Sequence, residues 1–530
     1  MKKGTILILF AAFATLLSAS NKTAIDYYES GDLKKAKSLF LSTSNPDAAD
    51  YYYLGKIYLS ENNTTAATEN FNKGLQADPA NLYNSVGVAA IQMATDAKEA
   101  AKILKSVSGN KIYKKDPQMQ VAIAEAFAYN KNDAQYQSYL AKAKKADKKS
   151  ALPYISEGNL LMAQGKNNDA AVKFENAVYF DPNSKIALVK LAQLYVGTRK
   201  QIAFDYLDKA TSIDPNYEYG WITQANLRYL NGFYPEAKAA YEKYMSLIKP
   251  QPEDYQTYGE ILYFNKNYAA SQEALSKAPV NNVTNRLKMY NMYDLQRYDE
   301  ALVLGQALIN NTKKSDLIYQ DYTYYADMLN KTKDYANAAK YFELAYLVDT
   351  MKTGTITDIA RAYDRAKNYP KAIEYYNKVM EINRDSYSMA DLYSLGAAYY
   401  SAGTDKTATP DSLLRKGNLK EAADVFEKMA ETFPDHYLGL LSQARANSAL
   451  DPETTAGLAK PYYEKLLPML LTTPDERKNE IMEVYQYMGI YYLKQDQYPQ
   501  SRTYWVKVLE LDHANAIAQQ VIKSIDSVKR

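Results

Sequence analysis

The feature that most constrains this chain is a three-residue signature that returns about every 34 positions. It consists of a Gly or Ala, an Ala twelve residues later, and an aromatic residue four positions after that. A repeat with a period of 20–50 residues is typical of a solenoid, in which each unit stacks on its neighbours. The clearest copies are Ala24/Ala36/Phe40, Gly55/Ala67/Phe71, Gly158/Ala170/Phe174, Ala225/Ala237/Tyr241, Ala326/Ala338/Phe342 and Ala360/Ala372/Tyr376.

Each unit is predicted to be a hairpin of two helices, as residues 151–184 illustrate. Apolar residues at helical spacing around Gly158 indicate a first helix, which a Gly-Lys-Asn-Asn stretch interrupts. Ala170 and Phe174 mark one face of a second helix, which ends at Pro182 because proline cannot continue a helix. We expect Gly158 and Ala170 to be small because the two helices approach closely there, with Phe174 filling the space beside them.

These residues resemble the tetratricopeptide repeat (TPR), whose first helix carries Leu-Gly and Tyr, and whose second carries Ala and an aromatic residue before a Pro. Unit 48–81 has the fullest match, with Tyr51, Leu54, Gly55, Tyr58, Ala67, Phe71 and Pro79. The resemblance covers residues 22–515 in some fourteen units. It implies an all-α fold: a right-handed α-solenoid of about fourteen stacked helix hairpins with a C-terminal capping helix.

Departures from the signature suggest where the array divides. Unit 252–281 has Ala274 where the second-helix aromatic residue should stand, and the next unit has Met289 and Gly305 at the small and aromatic positions. We expect looser stacking there. The predicted divisions are an N-terminal array, a C-terminal array with a polar loop insertion near 403–415, and a capping helix, at residues 21–281, 282–515 and 516–530.

Residues 1–20 have the layout of a secretory signal peptide. Two lysines precede an apolar run at 6–17, and three small residues follow it. The run is too short to span a bilayer comfortably, so we expect cleavage after Ser20 rather than a membrane anchor. Because the sequence has no Cys to carry a lipid, we expect an exported protein that is periplasmic or associated with the outer membrane.

The sequence carries no recognisable signature of an enzyme. It has two histidines, His436 and His513, both at repeat junctions, and the absence of Cys also argues against a zinc site. It contains no phosphate-binding loop and no metalloprotease or serine-hydrolase motif. Basic residues exceed acidic residues by only three, which does not favour binding to nucleic acid. We predict no catalysis, no cofactor, no metal and no nucleic-acid partner.

Candidate binding residues lie on the first helices, which line the concave face in the TPR family. The resemblance implies that positions two, five, nine and twelve of that helix point into the groove. Amide side chains can pair with the backbone of an extended peptide, and tyrosines can clamp its side chains. The predicted partner-binding residues are Asn159, Gln193, Asn226 and Glu260 at position nine and Tyr229, Tyr263 and Tyr293 at position twelve.

An alternative interpretation of these candidates stays open. On that interpretation the candidate residues are the ordinary polar residues of an exposed face, in a chain with 52 tyrosines. Farther along, the groove of the C-terminal array becomes charged, so the two halves are expected to hold different ligands; the charged positions are Asp327, Arg361, Asp364 and Arg445.

The sequence thus favours an exported, non-enzymatic scaffold that binds other proteins or peptide segments. We expect it to work in the bacterial cell envelope, in association with an envelope complex and without spanning the membrane. The alternative is a cell-surface or periplasmic protein related to glycans, which captures them or assists a cell-wall enzyme.

Overall fold

A computed structural model describes residues 19–384 and 386–528 of the chain. Within these residues the regular structure is entirely helical, with 29 α-helices and one short 3-10 helix. Successive helices pair into fourteen hairpins and the last helix follows alone. The predicted all-α solenoid of about fourteen hairpins with a capping helix is confirmed. Most of the predicted signal peptide, residues 1–18, lies outside the described residues.

The chain divides into two compact units, at residues 1–279 and 280–530. The helices of the first unit, in order, are α1 Ala19–Ser30, α2 Leu33–Ser42, α3 Ala48–Ser60, α4 Thr64–Ala77, α5 Tyr83–Gln92, α6 Ala97–Gly109, α7 Pro117–Tyr129, α8 Asp133–Ala146, α9 Leu152–Ala163, α10 Asn167–Phe180, α11 Lys185–Tyr195, α12 Lys200–Ile213, α13 Glu218–Leu230, α14 Tyr234–Leu247, α15 Pro252–Phe264 and α16 Tyr268–Ser276.

The second unit continues the same alternation of first and second helices. Its α-helices are α17 Asn282–Asp294, α18 Tyr298–Asn311, α19 Tyr319–Lys331, α20 Tyr335–Val348, α21 Gly354–Arg365, α22 Tyr369–Ile382, α23 Met389–Thr404, α24 Ser412–Thr432, α25 Tyr437–Leu450, α26 Lys460–Leu470, α27 Lys478–Lys494, α28 Tyr498–Leu511 and α29 Ala516–Val528. The 3-10 helix, Lys314–Asp316, lies between α18 and α19.

The hairpins are regular in length. In nine of them the second helix has fourteen residues. Many of the turns inside the hairpins contain one residue with a left-handed backbone, which is a common way to end a helix. Glycine supplies that residue at Gly31, Gly165 and Gly232, with φ of 99°, 75° and 80°. This regularity gives successive hairpins similar shapes, so they can stack in one manner.

The small residue of a first helix makes room for the aromatic residue of the second. A Cβ added to Gly158 would lie 2.7 Å from the ring of Phe174, closer than side-chain atoms approach. Phe71 lies between two such glycines, and a Cβ on Gly55 or Gly87 would lie 2.3 or 2.4 Å from its ring. The predicted close approach at Gly158 is therefore confirmed, and it extends from one hairpin to the next.

Two irregular units preserve this contact by other means. Beside Gly259 the space is filled by Leu275, which a Cβ on the glycine would approach to 2.5 Å. The prediction that placed Ala274 at the aromatic position is therefore wrong by one residue. In the next hairpin the small and large residues exchange places, since a Cβ on Gly305 would lie 2.9 Å from the sulfur of Met289.

The extra residues near 403–415 form helix as well as loop. The coil is limited to residues 405–411, and α24 then runs for 21 residues. The side chain of Asp405 accepts hydrogen bonds from two backbone N–H groups of the coil, at 2.9 and 3.0 Å. The insertion therefore lengthens the second helix and adds only a short, hydrogen-bonded coil.

The last helix, α29, packs with one side against the hairpin before it. Ala518 and Ile525 are buried, and Val521 is partly buried in the same apolar cluster. Ile517 is spaced from Val521 and Ile525 as if on the same helical face, but it is 61% exposed. The face is therefore rotated by one residue at its start.

The contact between Gly158 and Phe174 gives a first prediction. Gly158→Ala should lower the stability of its hairpin by about 1–3 kcal/mol, because the new methyl group has no space. Gly417→Ala is the matched control: Gly417 lies within α24 with no atom within 4 Å of a new Cβ. This change should stabilise by about 0.5–1 kcal/mol, since alanine restricts the unfolded chain. Hydrogen exchange of the amides of α9, α10 and α24 measures both; equal effects of the two substitutions would contradict the packing argument.

Candidate functional site

In the first unit, the first helices of six hairpins surround a cavity of about 540 Å³. We call it the central cavity. Apart from Gly31 and Leu33, its lining comes from α1, α3, α5, α7, α9 and α11. A second pocket of about 380 Å³ shares six of these lining residues, so the two spaces adjoin. The resemblance implied that first helices line the inner face, and here they do.

One wall of the central cavity depends on long-range packing of α1 against α11 and α13. The rings of Tyr27 and Tyr219 meet edge to face with centroids 5.7 Å apart. The hydroxyls of Ser30 and Tyr217 are hydrogen-bonded at 2.8 Å, and Lys190 Nζ donates to the Ser30 carbonyl at 2.7 Å. Since these partners are 160–192 residues apart, the row of first helices closes on itself within this unit.

Four charged residues join the same elements, and we call them the ionic quartet. Lys22 Nζ lies 2.6 Å from Asp214 Oδ2, while Lys185 Nζ lies 2.6 Å from Asp26 and 2.8 Å from Asp214. Burial alone would raise the pKa of Asp214, but its hydrogen bonds from the two lysines lower it to about 2. The quartet links α1 to α11 and to the segment before α13, and Asp214 stays ionised at neutral pH.

The central cavity contains a second, internal ion pair. Lys56 Nζ is 2.7 Å from Glu125 Oε2 and lies over the rings of Tyr28 and Tyr52, 5.1 and 5.5 Å from their centroids. Burial opposes the charge of Lys56, but the attraction of Glu125 outweighs it and raises the pKa of this lysine well above normal. The pair therefore places an ion pair beside two of the four tyrosines that line the cavity.

Two further titratable groups on the cavity wall have pKa values near neutrality. Burial, reinforced by repulsion from Asp26, raises the pKa of Glu29 to about 7. Burial lowers the pKa of Lys190 to about 8. Both shifts have the same physical cause, since a charge loses solvation when water is removed from around it. The protonation of the cavity therefore changes around neutral pH.

The structure places the four predicted residues of position nine in different surroundings. Asn159 lines the central cavity. Gln193 Nε2 donates to the Tyr219 hydroxyl at 2.9 Å, close to where α1 packs. Asn226 is exposed to solvent, and Glu260 accepts a hydrogen bond at 3.0 Å from the side chain one turn before it. These residues thus do not share one environment.

The three predicted tyrosines of position twelve share one arrangement. Each ring packs against the tyrosine five residues later, which begins the second helix of the same hairpin. The ring centroids are 6.1, 5.7 and 5.6 Å apart in the pairs Tyr229–Tyr234, Tyr263–Tyr268 and Tyr293–Tyr298. The tyrosines therefore brace the turns of their hairpins, a role that the sequence analysis did not assign to them.

The second unit has its own lined depression, of about 420 Å³, which we call the second-unit groove. Its walls come from α17, α19, α20 and α21. Tyr293 donates a hydrogen bond to Asp327, and Arg365 Nη1 donates to Asn330 Oδ1 at 3.1 Å. The lining residues are Tyr293, Tyr319, Thr323, Tyr324, Asp327, Asn330, Phe342, Asp358, Arg361 and Arg365.

The structure separates the four charged residues that the sequence assigned to the C-terminal groove. Asp327 and Arg361 both line the second-unit groove. Arg445 forms an ion pair with Glu483 at 2.7 Å, away from those lining residues. Asp364 is not part of the lining either, and burial raises its pKa.

Two charged residues of the central cavity escaped the sequence analysis although they carry the same signal as the candidates. Lys56 and Glu125 stand at position nine of units 48–81 and 117–150. Position nine of the repeats from residue 48 onward therefore carries the signal that identifies Lys56 and Glu125. No local pattern marks the packing of α1 on α11 and α13, because it joins segments far apart in sequence.

Two segments of the chain, residues 51–81 and 355–386, match the model of the tetratricopeptide repeat family. They overlap the hairpins α3–α4 and α21–α22, whose helices have the expected small and aromatic residues. The chain contains tetratricopeptide repeats. Such repeats are typical of scaffolds that bind other proteins.

Curated relatives are similar over part of their length. The BBSome complex member BBS4 of Bos taurus is 22% identical over 245 residues, which cover 45% of this chain and 46% of that protein. A TPR repeat-containing protein of Methanocaldococcus jannaschii is 24% identical over 363 residues, covering 60% of this chain and 63% of that protein. The chain therefore matches less than two thirds of the length of either relative.

Solved structures are also similar to parts of this chain. The C-terminal part of a TPR repeat-containing protein from Cytophaga hutchinsonii has 27% identity and a TM-score of 0.40, and the match covers 50% of this chain and 99% of that one. A chain of the APC/C hetero-tetramer Cut9-Hcn1 has 16% identity and a TM-score of 0.31, with 72% and 84% covered.

Neither a metal site nor a membrane span is evident in the described part of the chain. Across residues 19–384 and 386–528, no cluster of three or more His, Asp or Glu side chains is arranged to hold a metal ion. None of the helices in the same ranges combines the length and apolar character required to cross a bilayer.

The raised pKa of Glu29 gives a second prediction. Because the folded pKa lies above the normal value of 4.5, the contribution of Glu29 to stability is full below pH 4.5 and is lost as the pH rises through 7. Glu29→Gln should therefore stabilise the first unit by about 1–3 kcal/mol at pH 8 and leave it unchanged at pH 4. Thermal unfolding at both pH values measures this difference.

Glu125→Gln is the matched control for Glu29→Gln. This substitution leaves the partly buried Lys56 without the carboxylate that lies 2.7 Å from its Nζ. It should destabilise the first unit at pH 8, because a buried charge without an opposite charge beside it is costly. A gain in stability from both substitutions, or a gain from Glu29→Gln that does not depend on pH, would contradict the argument.

Proposed function

We propose that this protein is an exported, non-enzymatic TPR scaffold of the bacterial cell envelope, and that it holds a segment of a partner protein in the second-unit groove. The segment is extended and carries an acidic side chain together with an apolar one. The seven candidate residues predicted from the sequence are then divided between roles. Only Tyr293 contributes to this groove, and the other six belong to the first unit.

The observation that carries the proposal is the state of Arg361. This side chain is exposed on the groove wall and, within the described residues, makes no hydrogen bond to the protein, although it attracts the carboxyl group of Asp358 on the same helix. Arg365 lies one helical turn away on the same wall, and its guanidinium uses one N–H group for Asn330. A guanidinium can bind a carboxylate through two parallel hydrogen bonds, so an acidic side chain is the natural ligand for this pair.

The rest of the groove suits an extended peptide. The half-buried rings of Tyr319 and Tyr324 give apolar contact area, and tyrosine hydroxyls can bond to a peptide backbone. Asp327 is already engaged by the Tyr293 hydroxyl, which lessens its repulsion of an incoming carboxylate. Stacked hairpins present this surface in a preformed state, so little ordering of the scaffold opposes binding.

The envelope location rests on the sequence. The basic start, the apolar run and the small residues of 1–20 support export, and the lack of Cys is in keeping with a protein that carries no lipid. Cell fractionation and N-terminal sequencing test this part separately. Retention of the full chain in the cytoplasm, with residues 1–20 intact, would remove the envelope from the proposal and leave the groove intact.

The groove itself is tested by affinity purification of partners from envelope fractions. The double substitution Arg361→Ala/Arg365→Ala should reduce the recovery of the partner about tenfold or more, because hydrogen bonds to charged groups contribute about 1.5–3 kcal/mol each. The matched control is Arg384→Ala, which removes an exposed arginine that is not part of the groove lining. Equal recovery of every partner by the double variant and the control would refute the assignment of the groove.

A further inference from the structure

We propose that the face of α11 and α13 beneath α1 is a helix-binding site, that α1 is its resident occupant, and that a partner helix with the charge pattern of α1 can displace it. This site lies in the first unit and is independent of the second-unit groove. Its chemistry is defined by what α1 presents to it.

The contacts specify the kind of helix that fits. Lys22 and Asp26 are one helical turn apart and complete the ionic quartet with Lys185 and Asp214. The next residue, Tyr27, is aromatic. Its ring packs edge to face on the ring of Tyr219, with centroids 5.7 Å apart. One turn after Asp26 comes Ser30, whose hydroxyl is hydrogen-bonded to the hydroxyl of Tyr217 in the site. The matching partner is an amphipathic helix with a base, an acid, an aromatic residue and a serine at those spacings.

The resident helix combines buried apolar contacts, made by Ala24 and Tyr27, with the ion pairs and hydrogen bonds described above, and the polar contacts are the ones that a partner helix can compete for. Lys22 is 54% exposed at its side chain, so water and salt compete for its ion pair, whereas Lys185 and Asp26 are only 16% and 13% exposed. The hairpin of α1 and α2 is joined to α3 by the short segment 43–47. Its stacking on the next hairpin includes the parallel rings of Phe40 and Tyr53, 5.7 Å apart, which can remain while α1 leaves its site.

Displacement of α1 would change the central cavity. Lys190 would lose its bond to the Ser30 carbonyl, and the wall that contains Tyr28 and Glu29 would move away from α11. Gln193 and Tyr219, which are hydrogen-bonded at 2.9 Å beside the site, would become accessible to the incoming helix. Binding at this site therefore opens the closed row of first helices.

A peptide of residues 21–42, supplied in trans with a fluorescent label, tests the site on the full-length protein. In the acceptor chain, Asp26→Ala/Ser30→Ala weakens the docking of its own α1 and leaves the α11 and α13 face unchanged. Two polar contacts are lost, so this variant should bind the peptide about tenfold more tightly than the wild-type chain does. Fluorescence anisotropy measures the difference.

The matched control adds Asp214→Ala and Tyr217→Phe to that variant. These changes remove the partners on the receiving face, so the gain in peptide binding should disappear. Lys22→Ala in the acceptor is a milder second variant, which should raise binding by a smaller factor with less risk to folding. Hydrogen exchange should show faster exchange in α1 and unchanged protection in α9, α10 and α12.

Two results would overturn the proposal. One is equal peptide binding by the wild-type chain, the α1 variants and the face variant, which would mean that the peptide binds elsewhere. The other is no peptide binding by any acceptor while the amides of α1 in the variant exchange as freely as those of an unfolded chain, which would mean that the vacated face does not bind a helix.

Discussion

The contact between a small residue of each first helix and a large side chain of the second is the interaction on which the rest of the structure depends. At Gly158 and Gly55 there is no space for even one methyl group beside the facing ring. The two helices therefore meet at a fixed distance, and neighbouring hairpins can share one ring, as Phe71 does between Gly55 and Gly87. Even the irregular hairpin of α17 and α18 satisfies the rule, with the large residue supplied by Met289 from the other side. Repetition of this contact places the first helices side by side and so creates the inner faces of both units.

The two units use their inner faces differently. In the first, α1 packs across to α11 and α13, and the enclosed space is lined with tyrosines, an internal ion pair and two groups that titrate around neutral pH. In the second, the described groove leaves Arg361 exposed, with Asp358 as a charged neighbour and no hydrogen bond among the described residues. The inner face of the first unit binds a helix of its own chain, whereas that of the second exposes a charged side chain to solvent. The two faces therefore suit different ligands. The first is suited to exchange of a helix, and the second to capture of an extended, acidic segment.

Much of the fold follows from the sequence because its determinants are local. The spacing of Gly158, Ala170 and Phe174 predicts both helices and their contact, and the same spacing recurs often enough to predict the number of hairpins. The register of α16 was predicted wrongly because Leu275 replaces an aromatic residue and lies next to a misleading Ala274. The bracing of turns by Tyr229 and Tyr263 could have been found, since a second tyrosine follows each at five residues. The packing of α1 could not, because it depends on curvature accumulated over six hairpins, and no single unit encodes that sum.

The long helix α24 shows how such a chain can grow. It exceeds the fourteen residues of most second helices by about seven, and an α-helix completes two turns in about seven residues. Growth in whole turns returns side chains to their former azimuth, so Phe426 still faces Gly396 as aromatic residues do elsewhere in the array. An extension of two or three residues would instead rotate the added side chains about the helix axis, away from the direction in which the original ones point. Tandem helical proteins of this kind can therefore acquire protrusions cheaply when the added length is a multiple of the helical pitch.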